Sequence, residues 1–186
     1  MSQNKPRSIE FIARLNKKSE YNDCLKLGKE LIRKRKPKLV VHRDIYYNTL
    51  RGRLKLRDML GTNKGKLLQY ERSDIPGPKL SNYNVLDVED INLMEKMLDN
   101  SIGSLGYLEL IRNLYIYERA NIFVDVLKNK QRIFYGMEFE IKLEPGEDIE
   151  VGKKIAEDLM KKFKINKNQL LKESYIEVLF PKSDQN

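Results

Sequence analysis

The chain has one cysteine and one histidine in 186 residues, and each scarcity excludes chemistry. A lone Cys24 cannot form an intrachain disulfide and fits a reducing compartment. Set beside Leu25 and Leu27 in a predicted helix, it reads as a structural thiol. His42 alone gives a Ser-His-Asp triad little to draw on, and the sequence carries neither a P-loop nor zinc-ligand spacing. No apolar run approaches the ~20 residues of a membrane span, and the opening MSQNKPRS lacks the apolar core of a signal peptide. The expectation is a cytoplasmic protein with no membrane partner. With no internal repeat or low-complexity linker, one domain is expected over 8–180, between polar tails at 1–7 and 181–186.

What is abundant is charge. Thirty-six Lys and Arg stand against twenty-seven Asp and Glu, a formal net charge of +9. Such a balance attracts anions in general. It does not by itself choose between nucleic acid, an anionic membrane surface, a phosphorylated small molecule and a solvated lysine-rich surface.

Periodicity divides the chain into strands and a few helices. Ser8–Leu15 alternates Ile9, Phe11 and Ala13 with Ser8, Glu10 and Arg14, the pattern of a strand with one apolar face. Lys17–Lys36 predicts a helix with Leu25, Leu27, Leu31 and Ile32 as its apolar stripe, stopped by Pro37. Strands follow around Leu39–Tyr47, then at Arg53–Met59, Lys66–Arg72 and Ser81–Val88, the middle two joined by the turn GTNKG at 61–65. Asp90 is placed to cap a helix with Leu93, Met94, Met97 and Leu98 inward. Strands at Tyr107–Tyr117, Asn121–Leu127 and Phe134–Leu143 precede an amphipathic helix Ile149–Phe163, which carries Val151, Ile155, Leu159, Met160 and Phe163. A short helix near Asn168–Leu171 and an extended piece Tyr175–Leu179 close the series. About eight strands with few helices predict an α+β fold, a single antiparallel eight-stranded β-barrel or tunnel with flanking helices.

The charges are arranged on strand faces. Arg53, Lys55 and Arg57 share one face of a strand, and Glu138 and Glu140 share another, because side chains alternate sides. An ordinary solvated face would give either pattern alone. Inside a barrel, such faces need counter-charges, a metal or an anionic ligand. Arg and Lys neutralise phosphate oxygens, and clustered carboxylates hold Mg²⁺ or Mn²⁺, which bridge to phosphates. Glu10 has a plainer reading as the partner of Arg14, and Tyr46, Tyr47 and Tyr83 a plainer one as packing residues.

These segments together resemble the CYTH domain, the family named for class IV adenylyl cyclase and thiamine triphosphatase among the triphosphate tunnel metalloenzymes. The resemblance lies in GRLKLR at Gly52–Arg57, YERSDIPGPKLSNY at Tyr70–Tyr83, RNLY at Arg112–Tyr115, IFVD at Ile122–Asp125 and MEFEI at Met137–Ile141. SIEFIAR at Ser8–Arg14 is similar to the opening segment of the animal-type branch. The resemblance implies an eight-stranded tunnel binding a triphosphate-bearing or nucleotide ligand, a phosphorylated small molecule, with a divalent metal, Mg²⁺ or Mn²⁺. By position it implies metal-binding Glu10, Glu138 and Glu140, with Glu10 and Asp125 in catalysis. It implies phosphate-binding Lys55, Arg57, Arg72 and Arg112, with Arg53 and Lys79 as weaker candidates that serve the rim or hold the loop; Arg14 is a further substrate-side candidate. The chain departs from the family where Ile12 stands for the lysine of Glu-x-Glu-x-Lys. It departs again where Leu110 and Asn121 replace two more inward cations.

The resulting expectation is a divalent-metal-dependent phosphohydrolase or phosphoryl-transfer enzyme acting on a nucleotide or organic polyphosphate, with an altered preference suited to fewer phosphates or to an apolar portion near Ile12 and Leu110. The alternatives are a catalytically inactive relative that captures a nucleotide, and nucleic-acid binding through the basic exterior.

Overall fold

The computed structural model describes residues 6–33, 35–129 and 132–179. Of the expected tails, 1–5 and 181–186 lie outside the described residues, while Arg7 already belongs to the first strand. Strand β1 spans Arg7–Leu15, β2 Lys38–Tyr47, β3 Arg53–Asp58, β4 Gly65–Arg72 and β5 Lys79–Val88. The series continues with β6 Ser104–Tyr117, β7 Ala120–Asn129, β8 Arg132–Leu143 and the two-residue β9 Leu170–Leu171. The sheet order β5-β4-β3-β2-β6-β7-β8-β1 is closed by antiparallel pairing of β1 with β5, so eight strands form a ring. Along that seam β5 pairs with β1 as far as Glu10↔Lys79, and β9 takes over at Ile12↔Leu171.

Helix α1 spans Lys18–Ile32, α2 Ile91–Ile102, α3 Ile149–Lys162 and α4 Tyr175–Leu179. The outward face of β1, β7 and β8 (Ile9, Phe11, Ile122, Val124, Met137, Phe139 and Ile141) is fully buried against α1 and α3. Phe11 stacks on Phe139 at 4.2 Å between ring centroids, and Phe163 meets the same ring edge-on at 5.4 Å. Each such ring is worth roughly 1.5–3 kcal/mol of burial. The approach of α3 is close because it brings Gly152 to the sheet: a Cβ there would lie 2.6 Å from Cγ1 of Ile9.

Four details differ from the sequence expectation. Helix α1 ends at Ile32, the last side chain seated in the core, with Arg33 in a left-handed turn at φ 53°. In α2, Asp90 does cap by accepting from the Leu93 amide at 3.0 Å, but the buried side is Ile91, Met94 and Leu98. Leu93 and Met97 are each 55% exposed, since at 100° per residue they fall off that stripe. Val151 of α3 also faces solvent. Tyr175–Leu179 is helical rather than extended, after a 3₁₀ turn at Lys167–Gln169. Its start is fixed by Glu177, which accepts from both the amide and the hydroxyl of Ser174 at 2.7 Å. That is the S-x-x-E capping pattern.

Candidate functional site

The inward positions of the ring enclose a cavity of about 170 Å³ lined by charge from six of the eight strands. Alternation places Glu10 and Ile12 of β1, Asp44 and Tyr46 of β2, Lys55 and Arg57 of β3, and Arg72 of β4 on the inner face. From the other side come Leu110 and Arg112 of β6 and Glu138 and Glu140 of β8.

The cations and carboxylates are paired. Asp44 is buried and accepts from Lys55 Nζ at 2.9 Å and from Arg57 Nε and Nη2 at 2.8 and 2.9 Å. Burial pushes its carboxyl up, but Arg57 and Lys55 outweigh this and hold it well below the usual carboxylate range. Arg112 makes a two-pronged contact with Asp125, Nε to Oδ1 at 3.0 Å and Nη2 to Oδ2 at 2.8 Å. Its Nη2 also donates to Glu138. Glu138 is pulled down to about 2: burial acts upward, and Arg112, Lys55 and Arg72 act more strongly downward. Asp125 moves the other way, raised by complete burial against the pull of Arg112. Phe123 supports the arrangement, its ring centroid 3.9 Å from the Arg112 guanidinium.

Arg72 is the exception. Its side chain is 2% exposed and donates Nη1 to Glu10 at 3.1 Å, yet its buried Nε and Nη2 have no partner. Two open donors on a buried guanidinium are costly unless an acceptor visits. Glu10 itself accepts from Ser8 Oγ at 2.7 Å, and its carboxyl is raised, first by burial and further by the charges of Glu138 and Glu140.

Glu10, Glu138 and Glu140 lie on one wall, Glu10 opposite Glu140 and Ile12 opposite Glu138 across the β1–β8 ladder. Their oxygens are the hard donors that Mg²⁺ and Mn²⁺ prefer. In chemistry and placement these residues fit such an ion. As arranged, however, Glu138 turns to Arg112 and Glu140 accepts from Asn121 Nδ2 at 2.9 Å. Among the described residues no three His, Cys, Asp or Glu side chains already converge as a metal cage.

Three of the expected cations are employed elsewhere. Arg53 stands at the rim, bound to both oxygens of Glu177 at 2.9–3.2 Å and to Asp74 at 2.6 Å. Lys79 is fully buried and donates to the carbonyls of Ile75, Leu171 and Lys172 at 2.8, 3.2 and 2.6 Å, tying the Ile75–Pro78 loop to the segment before α4. Arg14 is exposed over the Phe134 ring, and Glu10 pairs with Arg72 rather than with it.

Ile12 and Leu110, together with Leu108, Leu127 and Tyr46, pack under Tyr175 and Ile176 of α4. The tyrosine enters because β8 has Gly136 there; a Cβ at that position would lie 2.5 Å from its hydroxyl. The sequence reading missed Asp44 and this helix. Alternation of His42, Asp44 and Tyr46 signals the first, and Ser174-x-x-Glu177 the second. His42 is buried beside Asp44, with Nε2 3.4 Å from Oδ1, and is lowered to about 4, chiefly by burial, so it is neutral and structural.

Comparison with known proteins completes the description of the site. The family model described as the CYTH domain matches residues 7–175. No curated protein sequence matches the chain. A solved structure from Pyrococcus horikoshii OT3 superposes with a TM-score of 0.74 at 18% identity, covering 91% of this chain and 98% of that one. A Hippeastrum adenylyl cyclase candidate, described as having a dominant triphosphatase activity, superposes at 0.59 and 16% identity, covering 92% and 94%. A chain of the Schizosaccharomyces pombe Mediator head module does so at 0.62 and 9% identity, covering 89% and 98%. At these identities the shared property is the fold. No helix among the described residues is long and apolar enough to cross a membrane.

Proposed function

The chain belongs to the CYTH domain family, and from that premise we propose that its tunnel binds a phosphorylated small molecule together with Mg²⁺ or Mn²⁺ and cleaves a phosphate from it. The observation that carries this reading is Arg72, which lines the cavity and whose buried Nε and Nη2 have no hydrogen-bond partner. Phosphate oxygens are the acceptors that a guanidinium fits best. Lys55 and Arg57, paired with Asp44, add charge on the adjoining strand.

Glu10, Glu138 and Glu140 would hold the metal ion, which supplies charge neutralisation on the phosphate oxygens. Glu10 is the carboxylate to which we assign acceptance of the proton from an attacking water. Asp125 is fully buried on Arg112, so its part is positioning rather than contact with the ligand. The apolar and neutral replacements at Ile12, Leu110 and Asn121 support a preference for fewer phosphates. Each lost charge-assisted hydrogen bond removes about 1.5–3 kcal/mol.

A second reading is favoured by the contact between Arg112 and Glu138. It occupies a carboxylate of the metal wall with the chain's own cation, which suits capture without turnover. The experiment is phosphate release with Mg²⁺ or Mn²⁺ from nucleoside di- and triphosphates, tripolyphosphate and thiamine triphosphate, with cyclic nucleotides as controls. Metal-dependent release that falls at least about tenfold in Arg72→Ala and Glu10→Gln is expected. A ligand-induced rise in melting temperature with no release would establish the second reading, and neither effect in folded protein would refute both.

A further inference from the structure

His42 is fully buried, and neither of its ring nitrogens has a hydrogen-bond partner. A buried imidazole left open at both nitrogens calls for a reason beyond packing. It lies two residues before Asp44 on β2, so both side chains stand on the same face of the strand. Its Nε2 is 3.4 Å from Asp44 Oδ1. Among the described residues, Asp44 Oδ2 accepts from two donors, Lys55 Nζ and Arg57 Nη2, whereas Oδ1 accepts only from Arg57 Nε. A carboxylate has about four lone-pair sites, so the vacancy lies on the oxygen that His42 faces.

Exposure orders these four groups. The side chains of His42 and Asp44 are 0% and 1% exposed, while those of Lys55 and Arg57 keep 15% and 19% open. An anion in the tunnel therefore meets the cations, and its oxygens compete with Asp44 for their N–H groups. Each donor that turns to the ligand leaves a sealed carboxylate short of a partner, which is costly. We propose that His42 is a positioning residue that acts through Asp44: when a phosphate ligand draws Lys55 and Arg57 away, the imidazole takes up a proton and becomes the partner of Asp44 in their place. The proposal rests on the phosphate-binding reading above and adds to it a proton linked to binding. Lys55 and Arg57 keep their protons and redirect N–H groups to the ligand. The unprotonated ring nitrogen gains one proton from the buffer, and Asp44 stays ionised. The charged groups facing His42 are Asp44 on its own strand, Arg57 on β3 and Arg112 on β6, with Leu110 directly opposite on β6. In the empty tunnel burial, aided by the two guanidinium groups, outweighs Asp44 and keeps the ring neutral down to about 4. A bound anion offsets the charge of Arg57 and frees that of Asp44, and both changes favour the imidazolium. Ligand binding should therefore gain strength as pH falls through the raised His42 value.

His42 is the only histidine in the chain, so imidazole proton signals report on it alone. The test follows them by NMR as pH is varied, in the full chain with Mg²⁺. One sample is empty and the other saturated with tripolyphosphate or adenosine triphosphate, whichever binds more tightly. The ring is expected to titrate near 4 when the tunnel is empty. With ligand it should titrate at least about one unit higher, which equals about a tenfold linkage between proton and ligand. In Asp44→Asn the rise should shrink to under about a third of that, because the partner is gone. An unchanged or lower titration point in the saturated wild type, a measurement that needs no variant, would overturn the proposal and leave the phosphate reading standing. So would a full-sized rise in folded Asp44→Asn, since the anion would then act on the ring directly. Calorimetry in two buffers of different ionisation enthalpy counts the protons independently. The wild type should take up more of them than His42→Gln, which keeps an N–H for Asp44 but cannot titrate; equal uptake would also overturn the proposal. Wild type that binds neither probe would overturn the phosphate reading, and the linked proton with it.

Discussion

At the scale of single residues, Asp44 decides how much of the tunnel's positive charge is available. It forms ion pairs with both Lys55 and Arg57, and its carboxyl is held low by them. Because its folded-state pKa lies below the unfolded one, the stability it contributes is present above the ordinary carboxylate pKa and is lost only under strong acid. Asp44→Asn should therefore do two opposed things. It should destabilise the fold at neutral pH by about 3–5 kcal/mol, the usual result of stranding buried charge, and it should tighten tripolyphosphate binding by freeing two cations. Urea unfolding and an anion titration read the two effects separately. Weaker anion binding in a folded variant would mean that Asp44 orients these cations for the ligand instead of competing with it. Alternation in the sequence shows that Asp44 points inward, and the family motifs show the same for Glu10, Lys55, Arg57, Arg72, Arg112, Glu138 and Glu140. What they do not show is who pairs with whom. Arg53, Lys55 and Arg57 look equivalent along one strand face, yet the first serves α4 while the other two serve Asp44. That division follows from residues more than 100 positions away in one case and 11–13 in the other.

At the scale of elements, α4 is where local pattern and structure part company. Tyr175–Leu179 contains β-branched and aromatic residues that favour strands on propensity. The end of the tunnel needs a five-residue cover, however, and a helix started by Ser174 and Glu177 presents Tyr175 and Ile176 together to the apolar floor. The longer elements were legible because their apolar stripes repeat several times; α4 has barely one turn in which to show a period. Glu177 both caps the helix and grips Arg53. Glu177→Ala should lower stability by roughly 1–2 kcal/mol, a lost cap plus a partly exposed ion pair. Hydrogen exchange should speed up at the amides of Tyr175–Val178 while those of α1 and α3 stay protected. Unchanged exchange there would show that Tyr175 and Ile176 hold the cover without help from the charge clamp.

At the scale of the whole molecule, the net charge and the tunnel turn out to be separate matters. Lys55, Arg57, Arg72 and Arg112 face Glu10, Asp44, Asp125, Glu138 and Glu140 inside the ring, four cations against five carboxylates, so the interior supplies none of the +9 excess. Among the described residues, most of the other cations, many of them lysines, are exposed on the exterior. The composition was therefore a poor guide to the site, although it was an honest measure of the surface. Anion binding at the exterior and anion binding in the tunnel would respond differently to salt. Association with a nucleic-acid duplex through the exterior should weaken steeply between 50 and 200 mM salt, as counterion release requires. It should also ignore Arg72→Ala. Binding of a phosphorylated small molecule in the tunnel should depend less on salt, because buried charges are poorly screened, and should collapse in the same variant. Competition is the decisive form of this measurement. A duplex that displaces a tunnel-bound phosphate ligand in proportion to its own occupancy would show that the basic exterior and the paired interior form one site.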